Sequence, residues 1–330
     1  MSGRLPVSVK HTARGGRGVA FGQEFAKRTG RARRARSPLP PAVQALLACV
    51  VLYFILRLLR GTRSSAPRSG SGDLCSFAAP LVCAHGGVTS DAVLANTAPA
   101  YRAALAHPDV TCVEVDVSRT REGALVALHS RQLLQISSGE YDSVGDSKLE
   151  LLQWYGAAHG EAKAVLTLPD ALAALSGRGL RHIVLDLKEG APAGAEDSGY
   201  PGFVTSVLAA VRNAACDECV MWAKEDELVR DIVRRGLGPR AGLVVMNETA
   251  DARARGMHRI GRVPGASIAA VHWAMVDRSL VASTPTRVFG WTANQARMVD
   301  PLIRAGVHAI VTDAVDLVIE RIVDMRRACK

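Results

Sequence analysis

From residue 81 onward, short apolar runs alternate with longer helical segments, and this repeat constrains the fold more than any other feature of the chain. Such alternation is typical of a parallel sheet built from successive βα units. The stretch has the usual length of a TIM (β/α)8 barrel, about 250 residues. We therefore predict an α/β barrel with candidate strands at residues 81–84, 112–117, 124–128, 182–187, 220–223, 242–246, 267–271, 288–291 and 309–311.

Nine candidates compete for eight places in a closed barrel, so at least one must lie outside it. The connection between residues 117 and 124 is also too short to hold a helix, unlike the rest of the repeat. Helices are predicted between most of the other strands, at residues 96–106, 148–158, 167–175, 203–213, 225–235, 294–305 and 314–328.

Polar side chains stand at the C-terminal ends of these strands, where a barrel carries its chemistry. Glu114 and Asp116 alternate with valines and therefore lie on one face of their strand. Asp186 and Lys188 repeat the same spacing on a later strand. The full set of such residues is His85, Glu114, Asp116, His129, Asp186, Lys188, Lys224, Asn247, His272, Trp291 and Asp313.

Carboxylates and imidazoles gathered at one mouth are the composition of a metal-assisted acid/base site. Two other interpretations stay open from the residues alone. The acidic strand face could simply be exposed, and Asp186 and Lys188 could form a mutually neutralising ion pair. If a cation does bind, oxygen ligands favour Ca²⁺ or Mg²⁺ over zinc.

The positive charge of the chain is concentrated at its N-terminus. Residues 1–70 hold 14 of the 41 Lys and Arg but only one of the 31 acids, which leaves 27 bases and 30 acids beyond them. The predicted barrel is therefore not a basic nucleic-acid-binding domain. We divide the chain into a basic disordered tail (1–41), a transmembrane signal anchor (42–60), a flexible linker (61–74) and a catalytic domain (75–330).

Residues 42–60 are apolar with basic residues on both sides. An 18-residue helix spans about 27 Å, barely a bilayer. The dense charge before it predicts a single-pass type II membrane protein with a lumenal or extracellular catalytic domain. Alternatives are an organellar transit peptide, a cleaved signal peptide and a buried soluble helix; the arginines after the apolar run disfavour cleavage.

The seven cysteines are too few for a disulfide scaffold. Cys216 and Cys219 form an isolated CxxC without a second pair for zinc, so we expect a local disulfide or two ordinary thiols. Cys83 and Cys112 lie in predicted core strands and are expected to act as small hydrophobic residues.

Several segments resemble, in order and in spacing, the motifs of the glycerophosphodiester phosphodiesterase family. Plant-type members with a His-Gly-Gly opening and an N-terminal membrane segment are the most similar subgroup. The matching segments are Cys83-Ala-His85-Gly-Gly, Asn96-Thr97, Glu114-Val-Asp116, Glu122-Gly123, Val126-Ala-Leu-His129, Leu185-Asp186-Leu187-Lys188, Gly290-Trp291-Thr292 and Ile310-Val-Thr312-Asp313.

The resemblance implies a barrel enzyme that hydrolyses glycerophosphodiesters to glycerol 3-phosphate and an alcohol with a divalent cation. It implies His85 and His129 as the acid/base pair, and Glu114, Asp116 and Asp186 as metal ligands. Substrate contacts are implied for Lys188, Trp291 and Asn96. A lysophospholipase D acting on lysophospholipids, and a catalytically weakened barrel serving as a binding module, are the alternatives.

The sequence departs from the family pattern at four positions. Gly86 stands where an arginine is usual, which removes a bidentate phosphate contact. Ala95 and Ser130 replace acidic residues, and Asp186 replaces a longer glutamate. These changes bear on metal affinity and substrate orientation more than on the class of reaction.

Overall fold

The computed structural model describes residues 78–188 and 200–328. These residues all belong to the second of two contact units, Gly70–Lys330. The predicted tail, anchor and linker, residues 1–41, 42–60 and 61–74, therefore lie outside the described residues. Within the described ranges, no helix combines the length and the hydropathy needed to span a bilayer.

Eight parallel strands close into a barrel, which confirms the predicted α/β architecture. Going round the barrel their order is β1-β9-β8-β7-β6-β5-β4-β2, and pairing of β1 with β2 closes the ring. The nine strands of the sheet are β1 (Leu81–His85), β2 (Val110–Arg119), β3 (Leu125–Ala127), β4 (His182–Leu187), β5 (Cys219–Ala223), β6 (Ala241–Val245), β7 (Ile268–His272), β8 (Arg287–Trp291) and β9 (Ala309–Thr312).

The remaining strand, β3, lies outside the barrel and pairs antiparallel with the end of β2. Thr120 begins the turn between them, and Gly123 occupies the left-handed region at φ 92°. A crossover between parallel strands needs a dozen or more residues. Because this connection is much shorter, the strand that follows it pairs antiparallel with β2. The candidate at residues 124–128 is thus the surplus strand.

All seven predicted helices are present with small shifts at their ends, and three short ones were not predicted. The short helices span five to seven residues, too few for a hydrophobic period to be recognised. In chain order the helices are α1 (Ala98–Ala106), α2 (Ser130–Ile136), α3 (Leu149–Ala158), α4 (Leu168–Leu175), α5 (Tyr200–Asn213), α6 (Asp226–Ile232), α7 (Ala250–Ala254), α8 (Arg278–Ser283), α9 (Ala296–Ala305) and α10 (Val315–Arg327).

Alternation along the strands separates two layers of core. Outward-facing strand residues pack against the helices, whereas inward-facing ones fill the barrel, among them Val184, Trp222 and Phe289. Polar residues two positions further along the same strands lie between these apolar side chains and the C-terminal mouth of the barrel. The strand period of two therefore places the polar residues of several strands at one mouth.

Both CxxC cysteines and both core cysteines form disulfides. Cys216–Cys219 is the local disulfide that was one of two expectations. Cys83 and Cys112, expected to be unpaired hydrophobic residues, instead form a disulfide, so that expectation was wrong. They are register partners on β1 and β2, both point into the barrel, and their Cα atoms lie 4.2 Å apart.

Candidate active site

Three carboxylates converge at the C-terminal mouth of the barrel. One oxygen each from Glu114, Asp116 and Asp186 lies within 4.8 Å of the other two. Asp116 and Asp186 are register partners on β2 and β4, and Glu114 is the register partner of His85 on β1. Glu114 and Asp116 are only 1% exposed. The three acids predicted as metal ligands are therefore brought together by neighbouring strands.

Glu114 belongs to a largely buried cluster of three acids in which Lys188 is paired with the other two. Burial, and then the neighbouring Asp116, raise the pKa of Glu114 to about 8. The Gly86 N–H, 3.1 Å from Oε2, offsets only part of that cost. A compact all-oxygen donor set that carries more negative charge than its surroundings balance fits a divalent cation such as Ca²⁺ or Mg²⁺.

Lys188 supplies the positive charge that is present. Its Nζ lies 2.7 Å from Oδ1 of Asp116 and also contacts Asp186. Burial alone would raise the pKa of Asp116, but Lys188, together with His129 and His85, outweighs burial and holds that pKa well below its usual range. The ion pair of Asp186 with Lys188, left open as an alternative interpretation of the sequence, is thus present inside the acidic cluster. The phosphate contact predicted for Lys188 stays a prediction.

His85 is held by groups from three other parts of the barrel. Its Nδ1 lies 2.7 Å from Oδ1 of Asp313, at the end of β9, and its Nε2 lies 3.8 Å from Glu114. Arg131 places Nη2 3.3 Å from the same Nε2. Burial would lower the pKa of His85, but Glu114 and the hydrogen bond with Asp313 outweigh it and raise it to about 9.

His129 reaches the mouth from the β3 hairpin, not from a barrel strand. It is the N-cap of α2, where its Nδ1 accepts the Arg131 N–H at 3.1 Å. Its own N–H donates to Oε1 of Gln132 at 2.8 Å, which completes a capping box. Burial lowers the pKa of His129 to about 4, although Asp116 opposes the change.

Asn96 is buried behind Asp116 and is held in a left-handed conformation, φ 62°. Its Nδ2 donates to Oδ2 of Asp116 at 2.8 Å, and its Oδ1 accepts the backbone N–H of Asp116 at 3.1 Å. The Tyr101 hydroxyl donates to the same Oδ1. Asn96 therefore orients a carboxylate of the cluster, whereas the substrate contact predicted for it stays a prediction.

One cavity is lined by both histidines, by Glu114 and Asp186, and by Lys188. Trp291 lines it with its ring, while its indole N–H donates to the Ala270 carbonyl at 2.8 Å. His272 is instead paired with Glu248 at 3.1 Å, and it does not line this cavity. The polar and aromatic residues that line the cavity are His85, Glu114, His129, Arg131, Asp186, Lys188, Trp222, Lys224, Trp291 and Thr292.

Two site residues were missed by sequence reasoning in different ways. Asp313 was noted at a strand end, but its contact with His85 depends on closure of β9 against β1. Arg131 carried no signal, because it lies in a short helix that was not predicted.

Gly86 and Ala95, two of the positions that depart from the family pattern, face each other. A Cβ on Gly86 would lie 2.5 Å from the Ala95 Cβ, so a larger residue at 86 would require both to move.

Comparisons with known proteins agree with this geometry. The model of the glycerophosphoryl diester phosphodiesterase family matches residues 85–317. Glycerophosphodiester phosphodiesterase GDPD4 of Arabidopsis thaliana is 34% identical over 261 residues, which cover 76% of this chain and 75% of that protein. A plant relative fits the plant-type resemblance of the sequence.

Solved structures share the fold at low identity. A glycerophosphodiester phosphodiesterase from Parabacteroides distasonis superposes with a TM-score of 0.57 at 15% identity, covering 76% of this chain and 98% of that one. An Oleispira antarctica phosphodiesterase, solved in complex with the product sn-glycerol-3-phosphate, gives 0.56 at 18% identity, covering 74% and 97%. With the matched motifs standing at the mouth of the barrel, the chain belongs to the glycerophosphoryl diester phosphodiesterase family of enzymes.

Proposed function

We propose that this chain hydrolyses glycerophosphodiesters to glycerol 3-phosphate and an alcohol, with a divalent cation, Ca²⁺ or Mg²⁺. The observation that carries the proposal is the set of three carboxylates within 4.8 Å of one another, flanked by two histidines in one cavity. Family membership supports the reaction class. The product bound to the Oleispira antarctica phosphodiesterase supports glycerol 3-phosphate as the product here.

Glu114, Asp116 and Asp186 would hold the cation. When bound, it neutralises the phosphoryl oxygens of the diester and stabilises the charge that develops on them. The chain's own residues prepare the site for that charge, because Asn96 fixes the orientation of Asp116 and the Gly86 N–H fixes Glu114. Such supporting hydrogen bonds behind metal ligands typically change affinity by about 10- to 100-fold.

The two histidines differ in which ring nitrogen carries the proton. Oδ1 of Asp313 accepts a hydrogen bond from Nδ1–H of His85. Because the Arg131 guanidinium can only donate, Nε2 of neutral His85 is the acceptor. In His129, Nδ1 accepts a backbone N–H, so the proton lies on Nε2. We assign His85 as the base that accepts the proton of the nucleophile. Neutral His129 is the hydrogen-bond donor, through Nε2–H, to the leaving oxygen, which takes its proton from solvent.

The raised pKa of His85 does not conflict with this role in the loaded enzyme. Glu114 and Asp116, two of the groups that raise it, would also hold the cation. A bound cation reverses the local effect of its carboxylate ligands on neighbouring pKa values. His85 is then expected to be neutral near physiological pH, as a base must be.

The test is turnover by the full-length chain in detergent after chelation and return of Ca²⁺ or Mg²⁺. We expect metal-dependent release of glycerol 3-phosphate that is lost, by about 100-fold or more, in His85→Ala, His129→Ala and Glu114→Ala. Parallel assays with lysophospholipids test the lysophospholipase D alternative. Turnover unchanged in all three variants would refute the site, and no turnover with either substrate class would favour the binding module.

Membrane attachment through residues 42–60, with the catalytic domain lumenal or extracellular, is a further proposal. Two disulfides in the described residues support an oxidising compartment, where disulfides form and persist. Lumenal and extracellular calcium is then available to the site. Full-length protein should stay in the membrane pellet after a carbonate wash, with its C-terminus protected from protease in sealed vesicles. Release into the supernatant, or import into an organelle, would point to the alternatives.

A further inference from the structure

Arg131 faces the catalytic cavity although no sequence motif indicated it. Its guanidinium lines the cavity together with Glu114, Asp186 and Lys188, and Nη2 contacts Nε2 of His85 at 3.3 Å. It is the second residue of α2, and its backbone N–H is fixed by His129. The helix start therefore directs this side chain to the same histidine that sequence analysis predicted to be catalytic.

The positive charge of Arg131 is not balanced by an ion pair within residues 78–188 and 200–328. Asp313, which interacts electrostatically with Arg131, is already engaged, with Oδ1 on His85 and Oδ2 accepting from Asn294 at 2.6 Å. Lys188 differs, because it contacts Asp116 and Asp186. A cation that faces a cavity without a carboxylate partner is suited to an anionic ligand.

The geometry of the guanidinium restricts which kind of anion can bind to it. The guanidinium offers five N–H donors in a planar fork, enough to hold two oxygens of a phosphate and, by releasing its contact with His85, to leave Nε2 of His85 free as a base. Lys224 also lines the cavity without an ion pair in the described part of the chain, but an ammonium is a point charge and binds without this bidentate geometry. Arg131 is therefore the better match to a tetrahedral oxyanion held beside His85.

We propose that Arg131 binds the phosphate of the diester and sets its position against His85, an inference that rests on the proposed function. It would supply the guanidinium contact that Gly86 cannot. The close approach of Gly86 to Ala95 leaves no room for a side chain at that position without rearrangement. Arg131 thus determines the preference of the site for an anionic diester.

The experiment compares Arg131→Met and Arg131→Lys with wild type and with Arg304→Met in the full-length protein. Arg304 is an exposed arginine in the last turn of α9, and it does not line the catalytic cavity. Two quantities are measured: kcat/KM for a glycerophosphodiester, and the affinity for sn-glycerol 3-phosphate by calorimetry with and without the divalent cation. Thermal melting checks that each variant is folded.

We expect Arg131→Met to weaken glycerol 3-phosphate binding by about 10- to 100-fold, the value of one or two charge-assisted hydrogen bonds. KM should rise with it, and Arg131→Lys should recover only part of the loss because the fork is absent. Arg304→Met should match wild type.

Equal affinity and equal kcat/KM in wild type and both Arg131 variants would overturn this inference and leave the proposed function standing. A loss in Lys224→Met without one in the Arg131 variants would assign the phosphate to Lys224 and also overturn it. If wild type hydrolyses no glycerophosphodiester, the proposed function fails, and the calorimetry still decides whether Arg131 binds the anion. Absence of binding to wild type would refute the inference about Arg131, whereas turnover alone decides the proposed function.

Discussion

At the scale of single residues, the site is a set of charges whose neighbours decide what each can do. Two buried carboxylates, Glu114 and Asp116, occupy the same strand face but differ in charge partner. Lys188 lowers the pKa of Asp116, whereas burial and Asp116 itself raise that of Glu114. His85 and His129 are likewise shifted in opposite directions. Identity of side chain alone would have suggested two equal acids and two equal bases.

Asp313 is the positioning residue that makes His85 different. In Asp313→Asn the amide no longer stabilises the imidazolium, so the pKa of His85 should fall from about 9 towards its ordinary value. Proton NMR titration of the metal-free protein measures the pKa of His85 directly. Asp316→Asn, which removes the carboxylate that contacts His107, is the control. We also expect kcat to fall, because an amide can present its NH2 as well as its oxygen to the ring and so no longer fixes the tautomer. An unchanged pKa of His85 would contradict this role.

At the scale of elements, the β2–β3 hairpin is the departure from the barrel repeat that completes the site. A regular βα unit would have placed a helix after β2, and His129 would not have returned to the mouth. The hairpin instead turns back within a few residues and begins α2 at the rim. His129 and Arg131 reach the cavity through this one irregularity.

The disulfide between β1 and β2 should stabilise the element pair that carries His85 and Glu114. Its cysteines are 29 residues apart, against three for Cys216–Cys219. Loop-entropy estimates give about 3–4 kcal/mol for a cross-link of that length and less for the short one. In urea unfolding we expect Cys83→Ala/Cys112→Ala to lose more stability than Cys216→Ala/Cys219→Ala. The reverse order would show that β1 and β2 are held by their hydrogen bonds alone.

At the scale of the whole molecule, the acidic cluster ties folding stability to pH and to the cation. The folded-state pKa of Glu114 is raised to about 8, above its ordinary value of 4.5. The stability that the neutral carboxyl adds to the folded state is therefore fully present below pH 4.5 and is lost as pH rises through 8. Metal-free wild type should lose stability across this window relative to Glu114→Gln, which cannot ionise.

Addition of Ca²⁺ or Mg²⁺ should reverse that loss in wild type, because a ligand that binds only the folded state raises its stability. Thermal melting from pH 5 to 8, with and without chelator, measures both effects. Glu114→Gln should show the smaller response to metal. A melting temperature that is insensitive to metal in wild type at pH 8 would exclude these three carboxylates as a divalent-cation site.

The barrel and most of its mouth were predictable from the sequence, because period and spacing are local properties. Alternation of short apolar runs with helices determined the architecture. The i, i+2 spacing of Glu114 with Asp116, and of Asp186 with Lys188, determined that these side chains share an inward face. The strand at residues 124–128 was recognised, but not its place outside the barrel.

The partnerships between distant residues were decided only by the tertiary structure. Closure of β9 against β1 brings Asp313 to His85, 228 residues away in sequence. The β1–β2 register joins Cys83 to Cys112, and the hairpin brings Arg131 to His85. Such contacts follow from barrel closure and strand register, which depend on the packing of the whole chain, whereas a residue's face on its own strand depends only on its neighbours in sequence.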